Sequence, residues 1–432
     1  MTPSARASAA IEILADMATR KRPTAEALKD WGTSHRFAGS GDRAAIGNLV
    51  FDCLRNRASA AFAMGEGSPR ALVLRTLVSQ WRMTPEQVAN LADGSRHAPQ
   101  PLSEAELAGL KATLPATAPA HVRGDFPEWL APEFDRAFGV HAAEQGAGLA
   151  RRAPVDLRVN TLKADRDKVL KALRRFEPEP APLSPFGIRV AQGPGPSRNP
   201  HLEAEPGHGK GWYEVQDEGS QLATLLSGAG PRQQIIDLCA GAGGKTLGLA
   251  ALMENTGQLY AYDADSFRLR PIFERLKRAG VRNVQVLPPG DREALAKLAG
   301  KMDLVLIDAP CSGSGVWRRR PDANWRLSPA MLEARRGEQK TVLEEGADLV
   351  KPGGRLAYVT CSVLPSENSD QVESFLAGHP QFKLIAWPEL WQRSLPAKTP
   401  VPSADGSGET LLMTPRDHGT DGFFVAVMQR SN

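Results

Sequence analysis

From Gln234 to the C-terminus, short apolar runs alternate with helical patterns, and this constrains the fold more than any other feature. QIIDLCA is followed by KTLGLAALM, and QLYAYD by RLRPIFERLKRAG. VQVL and MDLVLIDAP come next, then the long helical stretch SPAMLEARRGEQKTVLEEGADLV, RLAYVT, a helix from about Glu367 to Leu376, and GFFVAVMQ. Such alternation folds as a mostly parallel sheet with helices on both faces, an α/β class. Ligands of such sheets bind outside the carboxyl ends of the strands. The run Leu304 to Ile307 is apolar enough for a strand buried on both faces. It ends at Asp308, followed by the turn Pro310-Cys311-Ser312-Gly313, and Cys361 stands in the same kind of place after RLAYVT.

The front of the chain has a different texture. Residues 1–140 read as an all-α domain. Ile11, Leu14, Ala15 and Ala18 fall on one helical face, and Ile46, Leu49, Val50, Cys53 and Leu54 on another. Cys53 belongs to that stripe and is expected in the core. Arg55, Arg57, Arg70, Arg75 and Arg82 would line either an RNA-facing surface or a solvated one. Residues 145–215 read as a small α+β unit: a strand over Val155–Val159, an amphipathic helix over about Asp165–Phe176, and a short strand over Gly187–Ala191 in a Pro/Gly-rich connection. The α/β part occupies 216–432.

At 432 residues with 41% hydrophobic content the chain can bury sizeable cores in two to four domains. No apolar run approaches a membrane span, and the N-terminus lacks the apolar core of a signal peptide. The net charge of +4 is compatible with a nucleic-acid partner. Four cysteines with neither a CxxC nor metal-ligand spacing point to reduced thiols and a cytoplasmic protein. No metal, no membrane and a monomer are expected.

Three motifs carry chemistry. DLCAGAGGKT, Asp237 to Thr246, follows a strand and opens a helix, so its glycines let backbone N–H groups approach a ligand. It is not a P-loop, because Cys239 stands where that motif needs glycine. Asp263, at the end of QLYAYD, is placed to accept hydrogen bonds from ribose hydroxyls. Gly290-Asp291 after the third strand is either an adenine contact or an ordinary turn. In the third motif, a right-handed crossover between the strands of DAPCSGSG and VTCS would set them side by side, with Cys311 and Cys361 facing one pocket.

DLCAGAGGKT, DAPCSGSG and TCSVLPSEN, in this order and spacing, resemble the RNA cytosine carbon-5 methyltransferases of the Sun/Fmu (RsmB-like) family. VWRRRPDANWRL and PVDLRVNTLK also fit, and SGDRAAIGNLVFDCLRNR resembles the NusB-type helical domain of the bacterial ribosomal-RNA members. The resemblance implies a Rossmann-like methyltransferase sheet that uses S-adenosyl-L-methionine. It also implies an N-terminal NusB-like domain, a small RNA-binding subdomain, and small-subunit ribosomal RNA as partner. Cofactor positions carry over to Cys239, Ala240, Gly241, Ala242, Gly243, Gly244, Lys245, Asp263, Asp291 and Asp308. Catalytic positions carry over to Cys361 as nucleophile, Cys311 for product release and Asp308 at the base.

A thiolate adding at carbon 6 of cytosine makes carbon 5 nucleophilic, and the base must be unstacked to receive it. Lys245 reads either as a contact to cofactor or nucleotide or as a solvated first-turn lysine. Arg318-Arg319-Arg320 reads as a phosphate contact. Trp317 and Trp325 read as stacking platforms or as core. A transfer-RNA substrate, or a non-catalytic RNA-binding module, are the competing readings.

Overall fold

The computed structural model describes residues 1–197 and 200–432. Arg198 and Asn199, at the end of the Pro/Gly-rich connection, lie outside the described residues. Two compact units form: one of Met1–Ala153 with Gln192–Asn199 and Trp317–Arg326, the other of Pro154–Ala191, Pro200–Val316 and Leu327–Asn432.

The first unit is helix and loop throughout its described residues. Its helix Pro3–Arg20 starts at Thr2, whose hydroxyl accepts from the Ala5 N–H. Helix Glu104–Lys111 starts with a full capping box between Ser103 and Glu106. Helices Ser40–Arg55 and Pro69–Ser79 pack against the first helix through Ala10, Ile13, Leu49, Val50, Leu74 and Leu77. Cys53 lies in this core, where burial pushes its thiol up to about 12.

Several of the arginines expected on an RNA-facing or solvated surface are occupied within this unit. Arg55 donates to the Arg318 carbonyl and to Asp52, and Arg75 to the carbonyls of Gly109 and Leu110. Arg70 pairs with Glu106 at 2.6 Å, and Arg57 lies over the Trp325 ring. Trp317 is buried and stacks near Phe134, and the Trp325 indole N–H donates to the Leu54 carbonyl. Both tryptophans are therefore scaffold, and Arg318 is buried with them. Of the three consecutive arginines, only Arg320 is fully exposed.

The second unit holds two sheets. Strands β1 (Val155–Val159), β2 (Glu179–Pro180), β3 (Gly187–Val190) and β4 (Tyr213–Val215) form an antiparallel sheet in the order β2-β3-β1-β4. Helix Arg166–Ala172 covers it through Val169, and Leu157, Ile188 and Tyr213 fill the space beneath.

The large sheet comprises β5 (Gln234–Asp237), β6 (Gln258–Ala261), β7 (Val284–Val286), β8 (Met302–Asp308), β9 (Val350–Thr360), β10 (Phe382–Ile385), β11 (Leu411–Met413) and β12 (Phe423–Arg430). Its order is β10-β12-β9-β8-β5-β6-β7, with β11 on β12. From β9 to β7 the pairing is parallel; β10, β11 and β12 pair antiparallel. The expected α/β class and helical front are what the structure has. The strand order reverses between β5 and β8, which opens a crevice at their carboxyl ends. Leu304, Val305, Leu306 and Ile307 of β8 are completely buried, as a strand covered on both faces requires. Among the described residues no helix is long and apolar enough to cross a membrane.

Candidate active site

Four consecutive strands of the parallel sheet end at one edge, and their ends carry Asp237 (β5), Asp263 beyond β6, Asp308 (β8) and Cys361 beyond β9. Register makes this possible, because Asp308 stands opposite Val359, two residues short of Cys361.

The glycine turn after β5 is clamped by backbone bonds to the end of β6. Ala240 N–H donates to the Tyr262 carbonyl at 2.9 Å, and Gly241 N–H to the Asp263 carboxylate at 2.9 Å. Asp263 also accepts from the Asp265 N–H and stands 3.8 Å from Arg268. Gly243 begins helix Gly244–Leu252 with φ +83°. A Cβ there would lie 2.6 Å from Ile272, so backbone conformation and space both require glycine. Arg158 of β1 donates to the Gly244 carbonyl, and Arg275 to the Ala242 carbonyl. The small sheet and helix Ile272–Ala279 therefore brace the turn from outside. Neither Arg158 nor Arg275 stands in one of the three chemistry-bearing motifs, so the sequence carries no sign of this role.

Asp237 is buried beneath this turn. One carboxylate oxygen accepts from Thr246 at 2.7 Å and the other has no partner. Burial, reinforced by Asp308, pushes its carboxyl up to about 7. Burial and the carboxylates of Asp263, Asp237 and Asp308 drive the Cys239 thiol well above its ordinary value. Cys239 is thus a thiol in the wall of the turn, with no nucleophile's character.

Lys245 is not a solvated first-turn lysine. It is 5% exposed, its ammonium is 2.7 Å from Asp308, and it lies 5.1 Å from the centre of the Phe423 ring. Asp308 keeps 35% exposure, so one end of the pair remains open. Asp291 follows β7. It caps helix Arg292–Ala296 by accepting from the Ala294 N–H, the behaviour of a turn residue.

The two cysteines meet. Cys311 Sγ and Cys361 Sγ are 3.4 Å apart, within reach of an S–H donated from one sulfur to the other. Cys311 is pushed well above the ordinary thiol range, first by its hydrogen bond with Cys361 and then by burial. Their loops are tied by backbone. Gly315 N–H donates to the Cys361 carbonyl at 2.9 Å, and Gly422 N–H to the Gly315 carbonyl at 2.8 Å. A Cβ on Gly315 would lie 2.1 Å from the Gly422 carbonyl oxygen. Asn368 fixes both sides of Cys361 by accepting from the Thr360 hydroxyl and donating to the Ser362 carbonyl. Glu367, beside it, is completely buried between the two loops. It lies inside the TCSVLPSEN stretch, yet a glutamate in a polar turn carries no signal of burial.

The turn suits a nucleoside-bearing cofactor. It has two glycines at positive φ, Gly241 and Gly243, a carboxylate at the end of the next strand, and the orphaned oxygen of Asp237 below. Residues 239–245 with Asp263 would hold that cofactor. No group of metal-ligating residues occurs among the described residues.

Fold and edge together define a Rossmann-like methyltransferase whose cofactor is S-adenosyl-L-methionine. The chain belongs to the 16S rRNA methyltransferase RsmB/F family, whose model matches residues 224–429, and it is an RNA methyltransferase. A second model, the RsmF/B-like ferredoxin-like domain, matches residues 126–195. A probable ribosomal RNA small subunit methyltransferase B of Synechocystis is 32% identical over 314 residues, covering 71% of this chain and 67% of the relative. A counterpart from Bacillus subtilis is 33% identical, covering 70% of this chain and 66% of the relative. The matched stretch thus spans about two thirds of these relatives' length. Among solved structures, a methyltransferase homolog protein from Pyrococcus horikoshii has TM-score 0.60 at 26% identity, covering 74% of this chain and all of its own. NSun6 of the same organism, solved with SFG, has TM-score 0.62 at 22% identity, covering 71% of this chain and 99% of its own.

Proposed function

We propose that this protein makes 5-methylcytosine in small-subunit ribosomal RNA through a covalent bond between Cys361 and carbon 6 of the target base. The observation that carries the reading is the pair of sulfurs 3.4 Å apart beside the Lys245–Asp308 pair. A cytosine methyltransferase of this type needs one thiol to add and a second group to finish the reaction.

The residues divide the work as follows. Cys361, as thiolate, adds to carbon 6 and makes carbon 5 a nucleophile. S-adenosyl-L-methionine, when bound, supplies an electrophilic methyl group. Asp308, oriented by Lys245, faces N3 and the exocyclic amine, where hydrogen bonding favours the adduct. Cys311, once it has released its own thiol proton to solvent, takes the carbon-5 proton; the C5–H electron pair forms the C5–C6 double bond, the C6–S bond breaks and Cys361 departs as thiolate.

Residues 1–140 are proposed as a NusB-like RNA- or partner-binding domain, and 145–215 as the subdomain that carries RNA to the catalytic domain at 216–432. The relatives' description as small-subunit ribosomal RNA methyltransferases supports this substrate over transfer RNA. Bisulfite sequencing of total RNA with and without the gene tests the proposal. One protected cytosine in small-subunit ribosomal RNA should disappear on deletion, and an unchanged pattern would refute it.

A further inference from the structure

We propose that Glu367 is a positioning residue: it holds Cys311 and Cys361 at working separation by accepting hydrogen bonds from both cysteine-bearing loops at once. One carboxylate oxygen accepts from the Ser312 N–H at 2.7 Å and from the Gln339 side-chain amide at 3.1 Å. The other accepts from the hydroxyls of Ser312 and Ser362, each at 2.5 Å. Ser312 directly follows Cys311, and Ser362 directly follows Cys361. Gln339, on the crossover helix Pro329–Leu349, also donates to the Pro310 carbonyl on the other side of Cys311.

The hydrogen bookkeeping favours a carboxylate at this position. A carboxylate is acceptor-only with about four lone-pair sites, and the donors above fill them. The two hydroxyls have further duties. Ser362 Oγ accepts from the Leu364 N–H, Ser314 Oγ accepts from the Val363 N–H, and the two hydroxyls lie 2.9 Å apart. With Ser362 donating to Glu367, the Ser314 hydroxyl donates to Ser362, so every proton in the chain has one direction. No cation pairs with Glu367 in any ion pair of the described residues. A buried anion without a cation is costly, and a fold needing only a filled space at residue 367 could use an apolar side chain. The carboxylate sits instead where the two thiols require a fixed spacing, since misplacement by about 1 Å can cost about 100-fold in rate. Its negative charge also acts on Cys311, contributing to the rise in that thiol's proton affinity.

The consequence for methyl transfer rests on the two-thiol reading above, whereas the geometric claim does not, and the test separates them. The full-length protein is treated with diamide, which takes two hydrogens from a pair of neighbouring thiols to give a disulfide and a hydrazine. The Cys311–Cys361 peptide pair is then timed by mass spectrometry. The wild-type protein should cross-link rapidly. Glu367→Ala should slow this pairing about tenfold or more and lower single-turnover methylation about 100-fold, with cofactor affinity unchanged. Glu367→Gln keeps the shape and lets the serine hydroxyls turn round to accept. It should retain most of the cross-linking rate while moving the pH midpoint for alkylation of Cys311 to lower pH, a change that loss of packing alone would not give. Wild-type cross-linking in a folded Glu367→Ala protein, or an unmoved alkylation profile in Glu367→Gln, would overturn the proposal. Slowed cross-linking in the alanine variant, with no RNA methylation even by the wild type, would leave the positioning role intact and instead refute the two-thiol function.

Discussion

The carboxyl edge of the sheet has two halves built by different means. On the β5–β6 side the site is made of backbone: a glycine turn clamped by main-chain bonds and one carboxylate that accepts the Gly241 N–H. On the β8–β9 side it is made of side chains, two thiols spaced by a buried network of Glu367, Ser312, Ser362, Gln339 and Asn368. The Lys245–Asp308 pair joins them, since Lys245 belongs to the glycine-turn helix and Asp308 ends β8. A half that must hold a cofactor needs donors at close approach, which backbone N–H groups provide. On the proposed reading the other half presents two thiols to one base, and packed, fully hydrogen-bonded side chains fix the spacing that this requires.

This comparison can be broken at its junction first. Lys245→Met leaves Asp308 without its partner, and single-turnover methylation should fall about 100- to 1,000-fold, the scale of losing one preorganised electrostatic contact. Thiol cross-linking by diamide should be unchanged. Loss of cross-linking would mean that the halves are not separate devices.

A change confined to the backbone half comes next. Gly243→Val forces a side chain against Ile272 at a positive φ, a strain of about 1–3 kcal/mol. Cofactor binding measured by calorimetry should weaken at least tenfold while the thiol pair still cross-links at the wild-type rate. Unaltered cofactor affinity would remove the turn from the binding site.

The remaining expected effect is on stability, away from the methyl-transfer reaction itself. The Asp237 carboxyl is raised from 3.8 to about 7 by burial, so the folded state holds that proton more tightly than the unfolded chain. The stabilisation is fully present below about pH 3.8 and is lost as the pH rises to about 7. Asp237→Asn should remove this dependence. The wild-type protein should lose up to about 4 kcal/mol relative to the variant across that window, measured by urea unfolding of the cofactor-free protein. Parallel stability curves for the two proteins would contradict the raised carboxyl.

Sequence made the backbone half legible and half-concealed the other. The strand expected over Leu304–Ile307 runs from Met302 to Asp308, and the glycine turn and each cysteine lie in short contiguous motifs that the sequence displays directly. The short strands β4 and β10 carry little periodic signal of their own, because their pairing partners supply what their sequences lack. Glu367 was invisible for a related reason. Burial of a turn glutamate is decided by donors from residues 312, 339 and 362, and no local pattern records them. The arginines differ again. Arg55 read as lining an RNA-facing or a solvated surface and Arg318 as a phosphate contact, yet Arg55 holds the Arg318 carbonyl inside the helical unit.

The central claim is that the two thiols act in turn on one base, Cys361 adding and Cys311 releasing. Its most direct measurement is denaturing electrophoresis of Cys311→Ala and Cys361→Ser after incubation with small-subunit ribosomal RNA and S-adenosyl-L-methionine. The account predicts a covalent protein–RNA band for Cys311→Ala and neither band nor methylation for Cys361→Ser. The reverse pattern, with the band in Cys361→Ser, would contradict it.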